Sequence, residues 1–130
     1  DDGLDAIDYA IKNAPFEKIT LSSDSNGSVP IWSEDKELLG IGAAKITELF
    51  DTIKALSHNY GYELKDMIKL ASTNAAKALE IDHITGEIKE GLSLDLMALD
   101  DNDDIDTVIS KGIVEMKDRK VLRKTNFSDF

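Results

Sequence analysis

The stretch Ile19-Thr-Leu-Ser-Ser-Asp24-Ser-Asn-Gly-Ser28 carries a carboxylate from the end of an apolar segment into a loop that contains glycine. Ile19 and Leu21 supply apolar strand positions, and the residues after Asp24 have the composition of a turn. We therefore predict a strand over about residues 17–22. Catalytic side chains commonly stand where strands end at a loop-rich rim, in barrels and in open α/β sheets. The alternative is that Asp24 only caps its own turn through a side-chain hydrogen bond.

Composition narrows the class of protein. The chain has 130 residues, of which 42% are hydrophobic, enough for one ordinary domain with a core. Its net charge of −11 is unsuited to phosphate backbones, so neither nucleic acid nor an anionic membrane is expected as a partner. The sequence contains no cysteine, no apolar run that could span a bilayer and no secretory signal, which favours the cytoplasm. Because the sequence opens at Asp1, inside a helical pattern, we expect processing or truncation.

Hydrophobic periodicity predicts helices around a small hairpin in residues 1–80. Apolar residues at helical spacing from Leu4 to Ile11 predict a helix that ends before Pro15. A hairpin is predicted from residues 29–32 and 37–41. A further helix is expected over 43–60 and should stop at Gly61. Another should begin near Glu63, and a short one should end at Leu79, with either Thr73 or Asn74 as its N-cap.

The pattern changes after Ile81. Alternation over residues 94–99, followed by short β-rich runs at 108–110, 113–116 and 121–123, predicts a tail of strands. We therefore divide the chain into an α/β part, residues 1–80, and a β part, residues 81–130.

Several motifs do not support a site of their own. The acidic run at 100–106 has Ile105 and Lys111 where a calcium loop needs glycine and glutamate, so we predict a solvated turn. His58 and His83 lack the spacing of a metal-binding pair. The run Gly40-Ile-Gly-Ala-Ala-Lys45 fails as a dinucleotide fingerprint and is interpreted as the start of a helix.

Three segments together resemble the carboxy-terminal signature of the amidohydrolase superfamily. They are Thr73-Asn-Ala-Ala-Lys-Ala-Leu79, Thr85-Gly-Glu-Ile-Lys-Glu-Gly91 and Leu94-Asp-Leu-Met-Ala-Leu-Asp100. In addition, Ser23-Asp-Ser-Asn-Gly-Ser28 resembles the loop after the eighth barrel strand of the isoaspartyl (β-aspartyl) dipeptidases in that superfamily. The usual form has glycine after the aspartate, and this chain has Ser25 there.

The resemblance implies a (β/α)8 TIM barrel with a binuclear zinc site at the carboxy-terminal ends of its strands, plus a small β domain. Residues 1–13 would then be the seventh barrel helix, 18–22 the eighth strand and 43–79 the following helices. The tail from about Glu87 would join the small β domain. A His-X-His pair, a carboxylated lysine and two further histidines would lie outside these residues, so we expect the 130-residue piece to be inactive alone and to bind no zinc.

By the same resemblance, Asp24 is a zinc ligand and the catalytic acid and base. It would take the proton from a metal-bridging hydroxide and deliver it to the leaving amine. Ser28 would hydrogen-bond the carboxylate of a β-aspartyl dipeptide, and Gly27 would let the backbone approach the substrate. A homo-oligomer is also expected. The alternatives are another amidohydrolase, either dihydroorotase-like or an N-acyl-amino-acid deacylase, and a non-catalytic acidic interaction domain.

Overall fold

The computed structural model describes residues 2–25, 28–43 and 47–123. The chain is an α/β protein with two small sheets, and its contacts divide it into two compact units, Asp1–Ala75 and Ala76–Phe130.

Helices dominate the first unit. Helix α1 spans Asp2–Asn13, α2 spans Glu48–Tyr60, α3 spans Leu64–Met67 and α4 begins in this unit and spans Thr73–Ala78. A 3-10 turn over Ile68–Leu70 directly continues α3. The predicted helices are confirmed, except that residue 43, the predicted start of α2, lies in a strand. Gly61 ends α2 with a φ of +75°, a left-handed conformation that glycine adopts without steric cost.

The core of the first unit forms where the apolar faces of these helices meet. Leu56 and Leu70 are fully buried, and Ile53 and Met67 are nearly so. Half-buried apolar residues pack around these four side chains, among them Leu4, Ile7 and Ile11 of α1, Phe16, Ile19 and Leu21. The spacing that predicts α1 is therefore the spacing of its core-facing residues.

The segment between α1 and the hairpin differs from the prediction. A 3-10 turn occupies Phe16–Lys18, and residues 19–24 run without forming a strand, although the sequence predicts one over 17–22. Ile19 nevertheless has the extended backbone angles of a strand residue, φ −94° and ψ 130°. A strand is defined by hydrogen bonds to a neighbour, and no described residue forms a ladder with this segment. The alternating sequence pattern predicts an extended backbone, and an extended backbone can form without a paired neighbour.

The predicted hairpin is confirmed. Strand β1, Ser28–Trp32, pairs antiparallel with β2, Leu38–Ala43. The interpretation of residues 40–45 as the start of a helix is wrong for residues 40–43, because Gly40 and Gly42 lie in β2 opposite Ile31 and Val29, and residues 44 and 45 lie outside the described residues. Helix α2 consequently begins at Glu48. The hairpin exposes large apolar side chains, namely Ile31, Trp32, Leu38, Leu39 and Ile41.

Tyrosines near the end of α2 hold α1 in place. The Tyr60 hydroxyl donates a hydrogen bond to the Asp5 carboxylate, and Tyr62 Oη donates to Asp8 Oδ1 at 2.7 Å. Lys12 Nζ donates to the other Asp8 oxygen, also at 2.7 Å. The bond to Asp5 raises the pKa of Tyr60 to about 12, and it lowers the pKa of Asp5. The two tyrosine hydrogen bonds join segments more than 50 residues apart in sequence.

The second unit contains a four-stranded antiparallel sheet. Its strands are β3, Leu96–Leu99, β4, Ile105–Ser110, β5, Ile113–Lys117, and β6, Lys120–Val121, each paired with the next. The prediction of a strand-rich tail is confirmed. Asp95, just before β3, accepts hydrogen bonds from the Lys111 backbone N–H at 2.7 Å and from Thr85 Oγ1 at 2.9 Å. The Lys111 bond is the main reason that the pKa of Asp95 is lowered.

The acidic run between β3 and β4 forms the predicted turn. Asp100 Oδ1 accepts hydrogen bonds from the backbone N–H groups of Asn102 and Asp104 at 2.9 and 3.0 Å. Arg119 forms ion pairs with Asp100 and, at 3.7 Å, with Asp104. The carboxylates therefore organise the turn and are partly balanced by one arginine.

Within the part of the chain that is described, no helix is both long and apolar enough to cross a bilayer.

The Tyr60–Asp5 contact predicts a loss of stability at alkaline pH. An unfolded tyrosine ionises near pH 10, whereas folded Tyr60 keeps its proton up to about pH 12, so this contribution is complete below about pH 10 and is lost as the pH rises towards 12. In wild type the urea midpoint of unfolding should therefore fall between about pH 10 and pH 12, and we expect this fall to be smaller in Tyr60→Phe. Tyr9→Phe, at an exposed position on α1, is the control and should leave the fall unchanged. Equal pH profiles for wild type and Tyr60→Phe would contradict the assignment.

Candidate active site around Asp24

Burial alternates along the extended segment that leads to Asp24. Ile19 and Leu21 are half-buried and pack on the core, while Thr20, Ser22 and Asp24 are exposed. This is the period of two that extended backbone imposes on side chains. One side of the segment is therefore anchored on the helices, and the Asp24 carboxylate is accessible to solvent.

Two contacts from the residues that follow α3 hold this segment. The backbone N–H of Leu21 donates to the Leu70 carbonyl at 3.0 Å. The side-chain nitrogen of Asn74 donates to the carbonyl oxygens of Phe16 and Ile19 at 2.8 and 2.9 Å. Asn74 is 3% exposed and is the buried polar residue of the described chain. Since an unpaired buried carbonyl costs about 1–3 kcal/mol, these bonds matter to the local structure.

Serine hydroxyls accept hydrogen bonds from the backbone at Asp24 and Ser25. The backbone N–H of Asp24 donates to Ser22 Oγ at 3.3 Å, and that of Ser25 donates to Ser23 Oγ at 3.2 Å. Among the described residues, no hydrogen bond to the Asp24 carboxylate is found. A capping aspartate would accept from the backbone N–H two residues on, which belongs to residue 26 and lies outside the described residues, so the interpretation of Asp24 as a cap stays a prediction.

The backbone of Asp24 has a φ of +46°, in the left-handed region. Aspartate and asparagine enter this region more readily than other non-glycine residues. The conformation redirects the chain immediately after the extended segment, at the point where the carboxylate stands.

Of the other predicted site residues, Ser28 is exposed and opens β1, where it pairs with Ala43. Gly27 lies outside the described residues. Ser28 follows Asp24 by four positions in the sequence, and its role as a substrate contact stays a prediction.

A complete metal site is not present in the described residues. No group of three or more histidine, cysteine, aspartate or glutamate side chains in residues 2–25, 28–43 and 47–123 could hold a metal ion. An exposed carboxylate such as that of Asp24 fits one ligand position of a zinc or other divalent site. The role of Asp24 as a metal ligand stays a prediction.

Asn74 is the structural residue that sequence reasoning missed. The sequence predicts it as one of two possible helix caps, yet it lies in the first turn of α4 and its side chain bonds to residues 55 and 58 positions earlier in the sequence. The sequence signal for this role is a polar residue next to Ala75, Ala76 and Ala78 on a helix. The sequence does not indicate which distant residues it bonds.

Residues 1–122 match the amidohydrolase family, so the chain belongs to that family. Enzymes of this family generally use metal ions.

Solved structures of hydrolases are similar to the chain. One is the β-aspartyl dipeptidase of the thermophilic keratin-degrading Fervidobacterium islandicum AW-1 in complex with β-Asp-Leu dipeptide, with 30% identity and a TM-score of 0.77 over 96% of this chain and 33% of that one. Another structure of that enzyme gives 28% identity and a TM-score of 0.72, over 95% of this chain and 29% of that one. A third structure is N-acetylglucosamine-6-phosphate deacetylase from Pasteurella multocida, which shares the fold at 18% identity and a TM-score of 0.69. The match covers 88% of this chain and 34% of the deacetylase chain. The chain spans about a third of the length of these structures.

The left-handed backbone at Asp24 predicts which substitutions the turn tolerates. Asparagine and glycine accept this conformation, whereas a β-branched side chain is strained there, so Asp24→Val should lower the free energy of unfolding by about 1–2 kcal/mol. Asp24→Asn and Asp24→Gly should stay within about 0.5 kcal/mol of wild type. Urea unfolding followed by circular dichroism measures the difference. Three equal values would show that the turn is not held in this conformation.

Proposed function

We propose that this chain is the carboxy-terminal part of a zinc-dependent isoaspartyl dipeptidase, an enzyme that hydrolyses β-aspartyl dipeptides. The observation that carries the proposal is the similarity to the Fervidobacterium islandicum β-aspartyl dipeptidase, at 30% identity over 96% of the chain. The deacetylase is 18% identical and supports the fold alone. A cytoplasmic location and a homo-oligomer stay predictions.

The extended segment supports a barrel in the intact enzyme. Residues 19–24 have strand-like alternation of burial but no ladder within the described residues. Such a segment fits a barrel strand whose hydrogen-bonding neighbours come from elsewhere in the protein. Under this proposal Asp24 stands at the carboxyl end of the eighth strand, which is the catalytic end of a TIM barrel.

In the proposed mechanism Asp24 acts as both base and acid. Bound zinc would polarise the scissile amide and make water a competent nucleophile near neutral pH. The Asp24 carboxylate accepts the proton of the attacking water and then gives it to the leaving amine nitrogen. Its exposure gives the water access, and the hydrogen bonds at Ser22 and Ser23 hold its backbone while the proton moves.

Ser28 and Gly27 contact the substrate in this proposal. The Ser28 hydroxyl is exposed at the start of β1 and donates a hydrogen bond to the substrate carboxylate. Gly27 presents backbone without a side chain, so that the dipeptide can lie close to the loop.

Removing the charge of Asp24 tests the proposal most directly. In the whole protein, Asp24→Asn should keep the fold and lower kcat for a β-aspartyl dipeptide by at least about 10²–10³-fold, because the amide cannot accept the proton. Asp51→Asn, at an exposed position on α2, is the matched control and should keep wild-type kcat. An Asp24→Asn enzyme with wild-type turnover would refute the role of Asp24.

Ser28→Ala should act on substrate binding. Loss of one hydrogen bond to a charged group predicts that KM for the β-aspartyl dipeptide rises by about tenfold, with kcat changed little. Steady-state kinetics separate the two constants. A large fall in kcat at unchanged KM would place Ser28 in the chemistry instead.

A substrate panel decides between this function and its relatives. The whole protein should hydrolyse β-aspartyl dipeptides in preference to dihydroorotate, N-acyl-amino acids and N-acetylglucosamine 6-phosphate. Preference for one of the other three would keep the family and replace the proposed substrate.

A further inference from the structure

We propose that Asn74 is a positioning residue of the active site, which acts by holding the segment that carries Asp24. This inference rests on the proposed function. The observation behind it is that a buried side-chain amide donates both of its hydrogen bonds to the backbone of a segment 55 and 58 residues away in sequence.

The two acceptors lie at a change of backbone direction. Phe16 opens the 3-10 turn, and Ile19 is the first residue after it, where the backbone becomes extended. A single nitrogen bonded to both carbonyls therefore fixes the angle between the turn and the extended segment. The distances of 2.8 and 2.9 Å are those of well-formed hydrogen bonds.

A second anchor lies two residues further along. The backbone N–H of Leu21 donates to the Leu70 carbonyl at 3.0 Å. Leu70 and Asn74 are four residues apart, so one short stretch of chain holds the segment at two points. Only Ser22 and Ser23 separate the second anchor from Asp24, so the backbone of Asp24 lies close to a fixed point of the segment.

Asparagine meets this requirement for a chemical reason. Both partners are carbonyl oxygens, which only accept, so the side chain must present a nitrogen with two N–H donors. Aspartate has the same shape but would direct one carboxylate oxygen at both carbonyls, and alanine would leave both unpaired. Asn74→Asp therefore removes the clamp at nearly constant volume.

The first test measures the clamp itself, without reference to activity. In the whole protein, hydrogen exchange of the Leu21 amide should quicken by at least about tenfold in Asn74→Asp relative to amides of α2. Asn13→Asp is the matched control, since Asn13 is exposed and its side chain donates to the Tyr9 carbonyl within α1. Unchanged exchange at Leu21 in Asn74→Asp would overturn the inference.

The wild-type protein gives a version of this test that does not depend on a variant folding. The side-chain amide protons of Asn74 should exchange at least about tenfold more slowly than those of exposed Asn13, as measured by NMR. Equal exchange of the two side chains would overturn the inference even if Asn74→Asp does not fold.

The second test asks whether Asn74 acts through Asp24. Asn74→Asp should lower kcat by about 10–100-fold with KM within about threefold, because the misplaced carboxylate transfers the proton less well. In an Asp24→Asn background the same change should lower kcat no further. A merely structural role would instead give losses that multiply, and that result would overturn the inference. Should Asp24→Asn alone keep full activity, the proposed function fails, while the exchange measurements still decide the clamp.

Discussion

The geometry of the candidate site depends on one buried amide. Asn74 is 3% exposed, and its side-chain nitrogen bonds to the carbonyls of Phe16 and Ile19. A buried polar group is stable only when it is paired, so these bonds tie the segment before Asp24 to the helical layer behind it. Ile19 and Leu21 complete the attachment by packing on the core, which leaves the opposite side of the segment, with Asp24, facing solvent.

The two units are stabilised by different means. In the first unit, Leu56 and Leu70 lie at the centre of a helical core, and tyrosine hydroxyls bonded to carboxylates of α1 reinforce it. In the second, Asp95 and Asp100 arrange backbone N–H groups around the start and end of β3. Asp5, Asp8, Asp95 and Asp100 are thus structural carboxylates.

The sequence predicts most elements of this fold, because their signals are local. Helical spacing in α1, the stop at Gly61 and the hairpin of β1 and β2 are all confirmed. What failed depends on distant partners. Residues 17–22 have the pattern of a strand, but a strand also needs a neighbour, and the described residues provide none.

In the candidate site, the position of Asp24 at the end of an apolar segment is visible in the sequence. The role of Asn74 is not, because its hydrogen-bond acceptors are more than 50 residues away. The zinc and substrate roles came from family resemblance, which the match over residues 1–122 confirms at the level of the family.

The central claim is that an anchored extended segment delivers Asp24 to a metal centre whose other ligands lie outside the residues described. A crystal structure of the whole protein with its metal bound tests this claim most directly. The account predicts an Asp24 carboxylate oxygen about 2.0–2.2 Å from a zinc ion, with the Asn74 amide still bonded to the carbonyls of Phe16 and Ile19. An Asp24 carboxylate directed into solvent, remote from every bound metal ion, would contradict it.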